Sequence, residues 1–336
     1  MNEQLEKEEQ EIRFLIDKLR GLKKEIAKVI VGQEKTVDQL LITFLAGGHA
    51  LLEGVPGLAK TLMIRTLSQA IDLDFRRIQF TPDLMPSDIV GTEILEEDHS
   101  TGKKFFKFNK GPIFSNIVLA DEINRTPPKT QAALLEAMQE FEVTYSGQTY
   151  PLDKPFLILA TQNPIEQAGT FPLPEAQLDR FLLYIQINYP DEQQELDILK
   201  NTTGGKVGVV NKVISGDEII KLQSIVREVV ISDDLITYVN KFIRSTRPKH
   251  TTDKYVKEWV SWGAGPRAGQ AMILTAKANA LLQGRYAVTK EDLDAVARPV
   301  LRHRVLVNFK AEAEGITSDD VTNHLLKTIA LPINGK

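Results

Sequence analysis

The sequence predicts an α/β protein: a mostly parallel sheet flanked by helices, with two β-hairpin inserts, followed by an all-helical part. Three observations predict it. Short apolar runs alternate with helix-forming stretches over the first half of the 336 residues. One of those runs feeds directly into a glycine-rich turn. After Tyr189-Pro190 the strand-like runs give way to helical periodicity with start signals.

Taken in order, the first segment places Leu5, Ile12, Leu15, Leu19, Leu22, Ile26 and Val29 on one stripe of a long amphipathic helix ending near Ile30. Such a helix either docks on the core or serves as a coiled-coil or partner-binding arm. HALLE (residues 49–53) reads as a short buried strand, with helix formers following from Lys60 to about Ala70. FRRIQF (75–80), NIVLADE (116–122), FLILATQN (156–163) and FLLYIQI (181–187) supply further strands, and PPKTQAALLEAMQE (127–140) a helix opened by prolines. The segment 82–116 is too long for a plain crossover. Its GTEIL and KKFFKF, separated by STG, read as a hairpin, and VTYSGQTYPL (143–152) reads as a second one. Both either cap the sheet as edge hairpins or form a working surface. In the second half, Asp191-x-x-Gln194, Ser215-x-x-Glu218, Thr289-x-x-Asp292 and Thr317-x-x-Asp320 are helix-start signatures, and NTTGGKVG (201–208) is a flexible connection. The division expected is an N-terminal helix over residues 1–30, a nucleotide-binding domain over 31–189 and a helical lid over 190–336.

Composition narrows the function. With 42% hydrophobic and 26% charged residues, the chain has the balance of a folded globular protein. A formal net charge of −4 argues against a protein built around a nucleic-acid backbone, although a local basic patch stays open. The absence of cysteine rules out disulfides, thiolate metal sites and a cysteine nucleophile. The start, MNEQLEKEEQEIRF, has no signal-peptide core, and LLITFLAGGHALL (40–52) falls short of the roughly 20 apolar residues of a spanning helix. A cytoplasmic protein without a transmembrane segment is the expectation.

The glycine turn, GVPGLAKT (54–61), departs by one letter from the pattern G-x-x-x-x-G-K-[ST], because Ala59 stands where the second glycine belongs. The strand–turn–helix context of a phosphate loop is present. In such a loop, backbone N–H groups and a helix N-terminus converge on anionic oxygens. Gly54 and Gly57 take the sharp turns, Pro56 stiffens them, Lys60 reaches the β- and γ-phosphates and Thr61 ligates Mg²⁺. If Ala59 is left-handed it costs roughly 1–2 kcal/mol; if it already lies in the helix it costs little. Either cost is small beside charge-assisted contacts to a triphosphate, so the loop is expected to work.

Asp121 and Glu122 end a buried strand, at the sheet edge where open α/β folds bind ligands. Asp121 can hold Mg²⁺, and Glu122 can orient and deprotonate water. FRRIQF fills the space for an extra strand between the loop strand and the acidic strand. Asn163, ending the next strand, is either a turn residue or a carboxamide for the lytic water or γ-phosphate. Arg180 either pairs locally with Asp179 or Glu175 or reaches a neighbouring subunit's γ-phosphate. Arg267, after Pro266, is either an ordinary first-turn arginine or a lid-borne charge brought onto the same nucleotide.

GVPGLAKT, IVLADEINR, ILATQNP, LPEAQLDRF and GAGPRA stand in the order seen in AAA+ ATPases, and their wording most resembles the MoxR family. The resemblance spans essentially the whole chain, and alanine before the lysine is usual in that family. It implies a P-loop AAA+ core in which Gly54, Val55, Pro56, Gly57, Leu58, Ala59, Lys60 and Thr61 form the ATP-binding Walker A loop. Asp121 and Glu122 are then Walker B, Asn163 sensor 1, Arg180 the arginine finger and Arg267 sensor 2. IVGQ (30–33) resembles the segment bordering the adenine, which brings in Val31 and Gly32. The hairpins look like the helix-2 insert and the pre-sensor-1 hairpin. The resemblance also implies homo-oligomeric rings, usually hexamers, and a chaperone-like or maturation role beside proteins with von Willebrand factor A domains.

Three classes of function follow. The first is an ATP-driven remodelling enzyme for protein clients, with a magnesium-chelatase-like ATPase subunit as a variant. The second is a nucleic-acid motor, whose local support is RPVLRHRVLVNFK (298–310) and RSTRPKH (244–250). The third is a nucleotide-gated scaffold without turnover, disfavoured by Glu122, Asn163 and Arg180 together. The five histidines are dispersed without metal-ligand spacing, and no G-x-S-x-G turn is present.

Overall fold

The computed structural model describes residues 2–97, 99–100, 102–165, 169–202 and 208–331, excluding the side chains of residues 2–8 and 201–202. The first half runs α1 (Asn2–Ala27), α2 (Glu34–Leu45), β1 (Ala50–Glu53), α3 (Lys60–Ile71), β2 (Phe75–Gln79), α4 (Pro86–Val90), β3 (Gly91–Glu97), β4 (Lys104–Lys110), β5 (Ile117–Asp121), α5 (Pro128–Glu140), β6 (Glu142–Tyr145), β7 (Gln148–Pro151), β8 (Leu157–Gln162), α6 (Glu175–Leu178) and β9 (Leu183–Gln186). The second half runs α7 (Glu192–Thr202), α8 (Gly216–Glu228), α9 (Asp233–Ser245), α10 (Lys254–Trp259), β10 (Val260–Trp262), α11 (Pro266–Leu282), α12 (Lys290–Leu301), β11 (Leu306–Val307), α13 (Phe309–Ala313) and α14 (Ser318–Thr328).

The five strands read from the apolar runs form one parallel sheet in the order β2-β5-β8-β1-β9. Strands β1, β5 and β8 are buried almost throughout, as strands covered on both faces must be. The order corrects one expectation. The strand between the loop strand β1 and the acidic strand β5 is β8, whereas β2 lies on the outer edge beyond β5. Each βαβ crossover is free to skip a neighbour, so sequence order does not fix sheet order.

The two hairpins are separate two-stranded sheets and do not extend the edges of the main sheet. Phe108 of β4 stacks on Tyr150 at 4.5 Å and lies 5.0 Å from Tyr145, so the hairpins pack on each other. Leu95 and Phe106, opposite one another across the first hairpin, are 57% and 71% exposed, an apolar tip turned to solvent.

The amphipathic stripe of α1 behaves as a docking face. Leu15, Leu19, Leu22 and Ile26 are buried, and α1 packs on both α3 and α11. Leu5's side chain lies outside the described residues. The helix-start pairs at Asp191, Ser215, Thr289 and Thr317 all close reciprocally with the side chain three residues on. The connection at 201–208 lies mostly outside the described residues. Among the described residues, no helix is long and apolar enough to cross a membrane.

His49, just before β1, is buried among Phe141 and Phe156. Its Nδ1 accepts from the amide of Ile158 at 2.9 Å and its Nε2 donates to the carbonyl of Met138 at 3.0 Å. Both nitrogens are used by the neutral ring. Burial therefore pulls its pKa from 6.5 to about 4, against a smaller opposing effect of the Met138 bond. The unfolded chain takes up this proton near pH 6.5 and the folded one only near pH 4, so stability is full above the first value and falls with pH through the window. From about pH 7.5 to about pH 5 His49 alone should remove about 2 kcal/mol. His49→Gln, which keeps one donor and one acceptor, should flatten that loss in denaturant titrations at the two pH values.

Candidate active site

Parallel pairing brings the C-terminal ends of β1, β5 and β8 to one edge. There Pro56, Gly57, Leu58, Ala59, Lys60 and Thr61 meet Asp121, Glu122 and Asn163 around a cleft of about 370 Å³. Residues expected from three separate segments thus share one cavity, although Gly54 and Val55 stand behind its lining. Gly57 turns with φ +87° in open space, a conformation natural to glycine. Gly54 has a different reason. A Cβ there would lie 2.9 Å from the carbonyl oxygen of Ile187, so the requirement is close approach to the chain leaving β9 rather than a turn. Ala59 caps α3 with φ 53° and ψ 23°, the left-handed region, so the first of the two costs applies.

Lys60 opens α3, whose first-turn amides have no intrahelical acceptors. Its Nζ donates to the carbonyls of Gly54 and Val55 across the loop. Burial lowers its pKa, while the negative charges of Asp121 and Glu122 act the other way.

The acids are held firmly. Thr161 Oγ1 donates to Asp121 Oδ1 at 2.5 Å and accepts from the amide of Glu122 at 2.9 Å. Arg77 grips the other oxygen of Asp121 through Nε at 2.9 Å and Nη2 at 2.6 Å. Glu122 has φ 58°, a left-handed residue at the strand end, and its carboxylate takes Gln79 Nε2 at 3.1 Å and Arg125 Nε at 2.8 Å. Non-glycine residues persist in this region where their surroundings over-determine them, which these contacts do. Asn163 Oδ1 accepts from the amide of Ile165 at 3.1 Å, while its Nδ2 is buried with no partner among the described residues.

Arg77, Gln79, Thr161 and Arg125 were not legible in the sequence. Arg77 and Gln79 matter because β2 lies against β5, with Gln79 level with Asp121. Thr161 matters because β8 lies on the other side of β5. Polar residues at the ends of otherwise apolar strands were the available signal.

Four expected residues, Arg180, Arg267, Val31 and Gly32, lie elsewhere. Arg180 and Arg267 line a second cavity of about 340 Å³ with Asp179, Arg227 and Arg304. Arg267 therefore does not join Lys60 in its own protomer, a correction to the reading of a lid charge on the same nucleotide. The cause is the lid's seat: α12 packs on β9, at the sheet edge, and the start of α11 lies beside Asp179. Asp179 is taken by Arg304 at 2.7 Å, and by Arg267 at a longer 3.8 Å, whereas Arg180 Nη1 donates to the carbonyl of Leu135 at 2.7 Å. Val31 and Gly32 precede Gln33, which with Thr36, Gln186, Tyr189, Arg302 and Asp319 lines a third cavity of about 450 Å³. Gly32 is close-packed, because a Cβ would meet Gln194 at 3.0 Å.

A phosphate loop, two acids on the neighbouring strand but one and a helical lid define an ATPase of the AAA class. The sequence model of the ATPase family associated with various cellular activities (AAA) matches residues 49–183, and that of the AAA lid domain matches 253–325. The chain belongs to the MoxR family of AAA+ ATPases. It is 43% identical to chaperone MoxR1 of Mycobacterium tuberculosis over 92% of this chain and 81% of that protein. It is 28% identical to protein MoxR of Methylorubrum extorquens over 87% of this chain and 88% of that one. A crystal structure of a candidate ATPase from Cytophaga hutchinsonii superposes with a TM-score of 0.90 at 42% identity, covering 98% of this chain and 99% of its own.

Because Ala59 is left-handed, Ala59→Gly should stabilise the protein by about 1 kcal/mol, read in denaturant unfolding, without weakening ATP binding.

Proposed function

We propose that the chain is a Mg-ATP hydrolase whose rings remodel or mature protein clients. Residues 31–189 would bind nucleotide and 190–336 form the lid. The observation that carries this reading is the meeting of Lys60, Asp121, Glu122 and Asn163 in one cleft, with Arg180 and Arg267 on another. The cleft suits a triphosphate. It offers the Lys60 ammonium, the amides at the start of α3 and the buried donor Asn163 Nδ2 that has no partner among the described residues. Thr61 and Asp121 are oxygen donors of the kind Mg²⁺ takes, and the ion would neutralise charge between the phosphates. For Asp121 to serve, it would have to share or exchange its Arg77 contact.

Within this reading Lys60 binds the β- and γ-phosphates. Glu122, oriented by Gln79 and Arg125, accepts the proton of the attacking water. Asn163 Nδ2 holds that water or the γ-phosphate. The cavity lined by Gln33 to Gln39 and Gln186 to Gln194 would take the adenine, with Val31 and Gly32 next to it in the chain rather than in its lining. Arg180 and Arg267 would act on the nucleotide of a neighbouring subunit, which gives the separate arginine-lined cavity a purpose and makes assembly a condition of turnover. Client contact falls to the paired hairpins with their apolar tip, and proteins with von Willebrand factor A domains are the proposed partners. A nucleic-acid motor is less well supported. In the run 298–310, Arg302 pairs with Asp319 and Arg304 with Asp179 inside the fold, and Lys310 pairs with Glu258 on the surface, so these charges already have partners within the chain.

Glu122→Gln should retain ATP affinity and lose hydrolysis by at least roughly 100-fold; undiminished turnover removes Glu122 from the chemistry. Arg180→Ala should lower turnover at least as much, and titration with Lys60→Ala subunits, which keep the arginine, should restore part of it. No recovery at any mixing ratio would overturn the action between subunits.

A further inference from the structure

We propose that Arg304 and Asp179 are positioning residues that hold Arg180 and Arg267 in the geometry needed to act on a neighbouring protomer's nucleotide. This rests on the reading of those two arginines given above.

Arg304 follows α12 and is nearly buried, with 5% of its side chain exposed. Its guanidinium has five N–H groups, and all five are used within the chain. Nε donates to Asp179 Oδ1 at 2.7 Å. Nη1 donates to the carbonyls of Val300 at 2.6 Å and Leu182 at 3.1 Å. Nη2 donates to the carbonyls of Phe181 at 2.7 Å and Asp179 at 3.3 Å. A guanidinium so committed has no donor left for a phosphate. It does fix the backbone on both sides of Arg180, at 179 and at 181–182, while leaving the Arg180 side chain outside the clamp.

The clamp reaches Arg267 as well. The second oxygen of Asp179 lies 3.8 Å from Arg267 Nη1, so a single carboxylate stands between a buried arginine and an exposed one. Arg267 starts α11, and Arg304 belongs to the turn after the helix packed on α11. The neighbours of Arg304 extend the same seat: His303 Nε2 donates to the carbonyl of Phe181 at 3.0 Å, and Arg302 Nη1 to that of Tyr184 at 2.6 Å. Three consecutive lid residues thus hold the carbonyls leading into and along β9. The pair Arg180 and Arg267, one from each part of the chain, is spaced by this strap.

The test uses the full chain with Arg304→Lys and Asp179→Asn. Lysine keeps the charge beside Asp179 but cannot hold four carbonyls, and asparagine keeps the shape of the carboxylate without its charge. Each variant should keep KM for ATP within about twofold of the parent and lose roughly 10–100-fold in kcat. Mixing with Lys60→Ala subunits, which carry an ordered arginine pair, should restore activity to each variant, a result that general loss of fold would not produce. If one variant fails to fold by thermal unfolding, the other carries the test. Parent-like kcat overturns the inference. So does loss of kcat without restoration, in a preparation where Arg180→Ala is restored. If Arg180→Ala is itself not restored, the reading of action between subunits fails, and this inference falls with it.

Discussion

Five parallel strands deliver their C-terminal ends to one edge of the sheet, and the chemistry of the molecule depends on which strand stands beside which. With β8 between β1 and β5, the hydroxyl of Thr161 can reach across to Asp121 and take the amide of Glu122. With β2 on the far side of β5, Arg77 and Gln79 close on the same two acids from the other direction. The acids are therefore held from both flanks before any ligand is considered. Carboxylates at a partly buried sheet edge need such partners, because an ion withdrawn from water without them carries an uncompensated desolvation cost.

The same strand order explains why cations occur in two places. Lys60 belongs to the loop beside the acids, and its charge is balanced there. Arg180 leaves α6 just before the edge strand β9, and the lid seats itself on that strand. The second cavity thus gathers arginines from both parts of the chain around one carboxylate. A surplus of positive charge in a partly buried site is costly unless an anion completes it.

His49 and Arg180 also share a helix. His49 holds the carbonyl of Met138 and Arg180 that of Leu135, both in the last turns of α5, which leads directly into the second hairpin. The first hairpin is in turn locked to the second through Phe108. The C-terminal end of α5 therefore touches the arginine cavity on one side and leads into the paired hairpins on the other.

Periodicity and local motif determined a great deal by themselves. The five core strands, both hairpins, the docking face of α1, the capped helices of the second half and the loop of residues 54–61 were all legible in the sequence, because each is set by residues near one another in the chain. Hydrophobic alternation, a glycine turn and a reciprocal cap need no distant partner. Tertiary structure decided what depends on the order of strands and the seat of the lid. It placed β8 and not β2 beside the loop strand, put Thr161, Arg77 and Gln79 on the acids, gave Gly54 a steric reason, and moved Arg267 from the Lys60 cleft to that of Arg180. It also hid Arg304, which looks in the sequence like one cation of a basic run and lies in the fold with every donor satisfied. Strand order and lid placement are chosen by burial summed over the whole core, and no local stretch carries that sum.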